Sequence, residues 1–207
     1  GAGMNEEPVA IRGVGPEAAE RAYATITAAF VADPVTRFTW PDAQTYLSAF
    51  PGILAGLCGP SFGGELALVA GAFAGAALWV PPAEAAGDED EAERAEAIRA
   101  FLGQTSPADR VEDMVATFLA MGRHHPDTPH WYLPFIGVDP AAQGRGIGAA
   151  LMKQAVARFD ADGAVAYLES SNPRNISLYE RFGFECTGEI RMGRAPLVTP
   201  MVRMPQG

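Results

Sequence analysis

The chain has 207 residues, 48% of them hydrophobic, which fits one domain of ordinary size whose core needs neither disulfide nor metal to form. A formal net charge of −10 argues against nucleic acid as a partner, because phosphate binding is driven by Lys and Arg, and it leans mildly toward a cationic substrate. Two cysteines, Cys58 and Cys186, are too few for a disulfide framework, and no run reaches the roughly 18 to 20 apolar residues of a membrane span.

Gly1-Ala2-Gly3 before Met4 lacks a basic or apolar leader and reads as an expression scar, which leaves 4–207 as a single domain. The expected setting is a reduced cytoplasm with no membrane partner. Val9-Ala10-Ile11 reads as a short strand, and Ala19, Ala22, Tyr23, Ile26 and Phe30 recur at helical spacing until Asp33-Pro34 closes the helix. Tyr46 to Leu57 reads as a helix interrupted at Pro51 and Gly52. Leu66 to Val80 reads as two antiparallel strands joined at Ala70-Gly71-Ala72. Helix formers run from Asp88 to Leu102, and Ser106-Pro107-Ala108-Asp109 has the form of a capping box for a helix that Gly122 ends. Trp131 to Val138 then reads as a strand, Gly146 to Phe159 as a helix and Ala164 to Glu169 as a strand. A short helix, Ile176 to Phe182, ends at Gly183 and precedes strand-like runs from Phe184 to Met192 and Leu197 to Met204.

The chemistry concentrates in Gln143-Gly144-Arg145-Gly146-Ile147-Gly148-Ala149. Glycines at a helix start leave backbone N–H groups uncovered where the helix dipole favours an anion, so a pyrophosphate fits there. The same residues satisfy the dinucleotide pattern G-x-G-x-x-A, with Glu169 about 20 residues on as the ribose-binding acid. Two features exclude that reading. Asp139 to Gln143 separate the strand from the first glycine, and the residues after Glu169 hold no further strand and helix pair of adequate length.

With Val138-Asp139-Pro140 before it, this turn resembles the acetyl-coenzyme A signature of the GNAT superfamily of N-acetyltransferases. Tyr167 to Asn175 and Leu178 to Phe184 resemble the corresponding stretch of puromycin N-acetyltransferases and similar enzymes. The resemblance spans Trp131 to Phe184 and is thin before it, where such proteins usually build the acceptor pocket. It implies an α/β (α+β) GNAT fold, a mixed central sheet with helices on both faces and a splayed strand pair holding acetyl-CoA. Acetyl transfer to the amine of a small molecule by direct attack is the expected activity. A protein lysine or N-terminal acetyltransferase and a non-catalytic acetyl-CoA sensor are the alternatives, and a homodimer is left open.

The resemblance also implies site residues. Ile136, Gly137 and Val138 would pair with the pantetheine arm, while Gln143, Gly144, Arg145, Gly146, Ile147, Gly148 and Ala149 would hold the pyrophosphate. Asn175 and Tyr179 would contact the cofactor, and Tyr179 would protonate the leaving thiolate. Pro134 removes one ladder donor and suits a bulge where the strands part. The strand before the turn contains no Glu, so the expected base is His130, relaying a proton through water beside the substrate-binding Tyr132. No metal is expected, since the three histidines have no carboxylate or cysteine at ligand spacing.

Overall fold

The computed structural model describes residues 8–85 and 90–207; the segment read as an expression scar and the expected helix start at Asp88 fall outside them. In chain order the elements are β1 (Ile11–Gly13), α1 (Ala19–Ala29), α2 (Pro34–Thr39), α3 (Ala43–Cys58), β2 (Ala67–Ala70), β3 (Gly75–Val80), α4 (Pro82–Ala85) and α5 (Glu91–Thr105). There follow α6 (Val111–Arg123), β4 (His130–Val138), α7 (Ile147–Asp162), β5 (Val165–Ser170), α8 (Ile176–Arg181), β6 (Glu185–Cys186) and β7 (Thr199–Arg203). The strands form one seven-stranded sheet in the order β1-β2-β3-β4-β5-β7-β6. Every pairing is antiparallel except β4 with β5, which the α7 crossover joins in parallel. Residues of α7 and α8 pack on one face around Leu151, Phe159 and Trp79. On the other face α1, α3, α5 and α6 bury Ile26, Phe50, Leu54, Leu102 and Met114. Among the described residues no helix is long and apolar enough to cross a membrane.

Several local signals resolve differently in three dimensions. α3 continues through Pro51 without the expected interruption. The capping box does not form: the Ser106 hydroxyl donates to the Thr39 carbonyl at 2.7 Å, and the Asp109 carboxylate pairs with Arg194. Gly122 lies inside α6 and does not end it; a Cβ there would collide with the guanidinium of Arg94, which reaches over from α5 to the Phe118 carbonyl. The run Phe184 to Met192 keeps only β6 and one bridge, Ile190 to Val198, because the chain bends there to reach α6, where the Arg194 amide donates to Asp113 at 3.1 Å.

The feature that positions the site is in β4. Leu78 of β3 pairs with Phe135, and Val80 with Tyr132, so two steps on β3 match three on β4 and one residue is extra. This bulge reverses the side-chain alternation. Trp131 and Leu133 pack on the α7 side, as do Ile136 and Val138, while Phe135 turns to Phe30 and Phe50. Pro134 sits within it, where the lack of an N–H costs the ladder nothing.

Candidate active site

β4 and β5 pair through four rungs, from His130 opposite Val165 to Leu133 opposite Leu168. The next position on β4 is Pro134, and from there the strands diverge. Phe135 to Val138 keep β3 as partner on one edge, and their other edge turns to a cleft. That cleft is a cavity of about 780 Å³. β4 contributes Ile136, Gly137 and Val138 to it; the glycine turn contributes Gln143 and Gly148; the segment after β5 contributes Asn172, Asn175 and Tyr179; the end of α1 and start of α2 contribute Phe30, Asp33 and Pro34. Gly137 permits the close approach of α1, since a Cβ there would lie 2.6 Å from that of Ala29.

At the turn, Gly144 and Gly146 have φ of +81° and +72°, the left-handed region that side chains rarely enter, and a Cβ at either would meet open space. Gly146 is the N-cap of α7, so the first-turn amides of a 16-residue helix, among them that of the cavity-lining Gly148, have no partner within the helix. Arg145 and Ala149 belong to this exposed turn and first helical turn without lining the cavity, and Ile147 is buried against the α7 side of the sheet.

Tyr179 is 6% exposed, with its ring edge-on to Phe184 and no hydrogen-bond partner for its hydroxyl among the described residues. Burial pushes its phenol above the ordinary range, and the charge of Asp33 adds to that. Asn175 lines the cavity; it has helical backbone angles and makes no capping hydrogen bond to α8.

A carboxylate does line the cavity, that of Asp33, which as a sequence feature reads only as a helix stop. It is 6% exposed and caps α2, with Oδ2 accepting from the Thr36 amide at 3.0 Å. Its Oδ1 accepts from the Ser171 hydroxyl at 2.7 Å, which ties the α1–α2 corner to the segment after β5. Burial raises its pKa against the lowering effect of these hydrogen bonds.

His130 and Tyr132 do not line the cavity. His130 is 1% exposed and closed at both nitrogens, by the Thr128 carbonyl at 2.8 Å from Nδ1 and by His125 Nδ1 at 2.9 Å from Nε2. It is therefore not placed to relay a proton from the cavity as the sequence suggests, because the loop after α6 folds back over it. Tyr132 donates to Glu169 Oε1 at 2.6 Å, Tyr167 donates to Oε2 at 2.9 Å, and His125 Nε2 lies 3.6 Å from the same Oε2. A carbonyl can only accept. With both rings neutral, His130 therefore donates to Thr128 and accepts from His125, which leaves His125 Nε2 bare toward Glu169.

Burial pushes Glu169 up to about 7 from an ordinary 4.5, and pushes His125 down to about 4 from 6.5. The signs are opposite in their effect on stability. Folded Glu169 holds its proton longer than the unfolded chain does, so stability present below pH 4.5 is lost as pH rises toward 7, about 3 kcal/mol over the full range. Folded His125 gives up its proton sooner, so stability present above pH 6.5 is lost as pH falls toward 4. The two slopes offset each other in the wild type. Glu169→Gln is expected to leave a melting temperature that rises with pH across this interval relative to wild type, and His125→Asn one that falls. Curves parallel to wild type in both variants would show that burial does not set these two groups.

Residues 76–184 match the Acetyltransferase (GNAT) family. An N-acetyltransferase of Schizosaccharomyces pombe, described as uncharacterized, is 30% identical over 155 residues, covering 68% of this chain and 60% of its own length. The chain thus spans about 60% of that relative. The fold of a Corynebacterium glutamicum protein described as histone acetyltransferase HPA2 and related acetyltransferase superposes with a TM-score of 0.66 at 23% identity, over 97% of this chain and 98% of that one. A polyamine N-acetyltransferase of Drosophila melanogaster, described as catalysing the formation of N-acetylagmatine, superposes at 0.67 and 17% identity, over 95% and 99%. At these identities the structural likeness speaks to the fold alone.

Proposed function

The chain belongs to the GNAT acetyltransferase family, and on that premise we propose that it transfers an acetyl group from acetyl-CoA to the amine of a small molecule by direct attack. The observation that carries the reading is one cavity, opened where β4 and β5 part, that holds both a phenol whose hydroxyl is unengaged among the described residues, Tyr179, and a buried carboxylate, Asp33. The residues fit the co-substrate: the turn at Gly144 and Gly146 leaves room and bare amides for a pyrophosphate, and the free edge of β4 from Ile136 to Val138 offers a strand-like partner to an extended arm. When bound, acetyl-CoA supplies the thioester.

The chain's own residues then divide the proton transfers. An alkyl ammonium must lose a proton before its nitrogen can attack, and Asp33 accepts it. Tyr179 donates its proton to the departing sulfur. Because Asp33 stands in the cavity, a silent acetyl-CoA sensor has less support than a catalyst. The acceptor is a cationic amine, small enough for a cleft of about 780 Å³, and agmatine and polyamines are the first to assay given what the Drosophila protein makes.

The test is release of coenzyme A, read as free thiol, across agmatine, polyamines, aminonucleosides and lysine peptides. Acetyl-CoA should also raise the melting temperature through mass action, while NADH should not. Gly148→Glu isolates the cleft. This glycine has an ordinary backbone conformation, lines the cavity, and a Cβ on it would make only van der Waals contacts with Leu178 and Val138. The variant should fold and lose the acetyl-CoA shift entirely; an unchanged shift would place the acyl donor elsewhere.

A further inference from the structure

We propose that Glu169 is a positioning residue of the acyl-donor cleft, tying β4 to β5 at the rung where their backbone pairing stops. The inference rests on the acetyl-transfer reading of the cavity. The last backbone rung is Leu133 with Leu168, which places Pro134 opposite Glu169. Pro134 has no N–H to offer, so the ladder cannot continue. A side-chain bridge stands in its place. The Tyr132 hydroxyl reaches from β4 to Oε1 of Glu169 at 2.6 Å, and Tyr167 from β5 holds Oε2 at 2.9 Å.

The identity of the bridging group is informative. The Glu169 side chain is 2% exposed, and a carboxylate in such a place carries a heavy desolvation penalty that an apolar pair across the strands would avoid. What the carboxylate adds is direction, since two hydroxyls donating to two oxygens fix both the distance and the angle between the strands. The consequences lie downstream on each strand. Past the bridge β4 runs into Ile136 to Val138 on the cavity wall, and Ser171, two residues after Glu169, holds Asp33. One bridge at the root of the fork thus sets where the donor edge and the proton acceptor stand relative to each other.

The groups around Glu169 are Tyr132 and His130 of β4, Tyr167 of β5, His125 after α6, Arg94 of α5 and, beside Tyr132, Cys58 at the end of α3. Arg94 draws the carboxylate down and burial pushes it up further, so the bridge changes protonation near neutrality.

A double-mutant cycle on the intact chain tests the bridge, with Tyr132→Phe, Glu169→Leu and their combination, and Glu169→Gln as the conservative variant. Calorimetry gives the Kd of acetyl-CoA and steady-state assays give KM and kcat for both substrates. Tyr132→Phe and Glu169→Leu are each expected to weaken acetyl-CoA binding on the order of tenfold, the size of a lost charge-assisted hydrogen bond, with the amine KM changed much less. The double variant should be no worse than either single one. Glu169→Gln keeps an acceptor oxygen for Tyr132 and mimics the protonated side chain, so its Kd should match that of wild type below pH 7 and the wild-type change of Kd across pH 7 should disappear. Should Glu169→Leu fail to fold, Tyr132→Phe and Glu169→Gln carry the test. Additive losses in the cycle, or unchanged Kd in Tyr132→Phe with a wild-type melting temperature, would overturn the bridge. A wild-type chain that does not bind acetyl-CoA at all would instead overturn the reading of the cavity.

Discussion

Tyr179→Phe is expected to lower turnover by roughly a hundred to ten thousandfold, the range associated with losing a general acid, while acetyl-CoA binds as before. The coenzyme A thiol has a pKa near the 8.5 of a cysteine, so a thiolate leaving at neutral pH draws a proton from any donor within reach. Tyr179 stands in the cavity with its hydroxyl unengaged among the described residues, and burial keeps it protonated throughout the working range. The same burial makes it a weak acid, which taken alone would oppose the transfer. The order of events relieves this. The Asp33 charge contributes to the raised phenol pKa, and once Asp33 has taken the proton of the amine that charge is gone when Tyr179 must donate. Phe keeps the ring and its edge contact with Phe184, so folding should be preserved, whereas Ala would empty a buried site at a cost of about 3 to 5 kcal/mol. The measurement is single-turnover coenzyme A release, so that product dissociation cannot mask the step. Wild-type rates in Tyr179→Phe would assign the proton to water.

The part of the chain read most fully from sequence is the part whose signals are local. The glycines from Gly144 to Gly148 followed by helix formers specify a turn and α7 within a few residues, and the β4-α7-β5 order follows. Pro134 marks the bulge because a missing N–H is a property of the residue itself. The readings that fail depend on partners far away in the chain. Ser106 has a capping sequence, but Thr39 offers its hydroxyl a carbonyl from 67 positions away. By sequence spacing His130 shares the parity of Ile136 and Val138, but the bulge turns it to the opposite face and a loop folds back over it through His125. Asp33-Pro34 is a sound helix stop, and it becomes a candidate catalytic group only when Ser171, 138 positions later, is brought against it. Glu169 has a sequence signal only as a ribose-binding acid, and its two tyrosine donors are evident once β4 and β5 are paired. The cavity wall around Asp33 is built from such distant contacts, which is why the glycine turn is the more legible part.

Asp33→Asn is expected to lose about as much turnover as Tyr179→Phe, roughly a hundredfold or more, and the deficit should depend on pH in a way no packing defect imitates. Asn is as good an N-cap as Asp, and its carbonyl oxygen can accept from the Thr36 amide or from the Ser171 hydroxyl. The α1–α2 corner should therefore remain, with a melting temperature close to wild type, whereas Asp33→Ala forfeits the cap at a cost of about 1 kcal/mol. Burial raises the Asp33 pKa, and the carboxylate must be ionised to accept a proton, so wild-type kcat/KM should climb with pH until Asp33 is deprotonated and then level. Asn has no such limb. At higher pH the argument reverses in favour of the variant. As pH approaches the value of about 10 at which an alkyl ammonium ionises in solution, more of the amine arrives already deprotonated, and the need for a base declines. The ratio of wild-type to variant kcat/KM should accordingly shrink as pH rises toward 10. A ratio that stays flat across pH 6 to 10, or a variant whose loss tracks a lowered melting temperature, would leave Asp33 as the cap of α2 and send the proton of the amine to another acceptor.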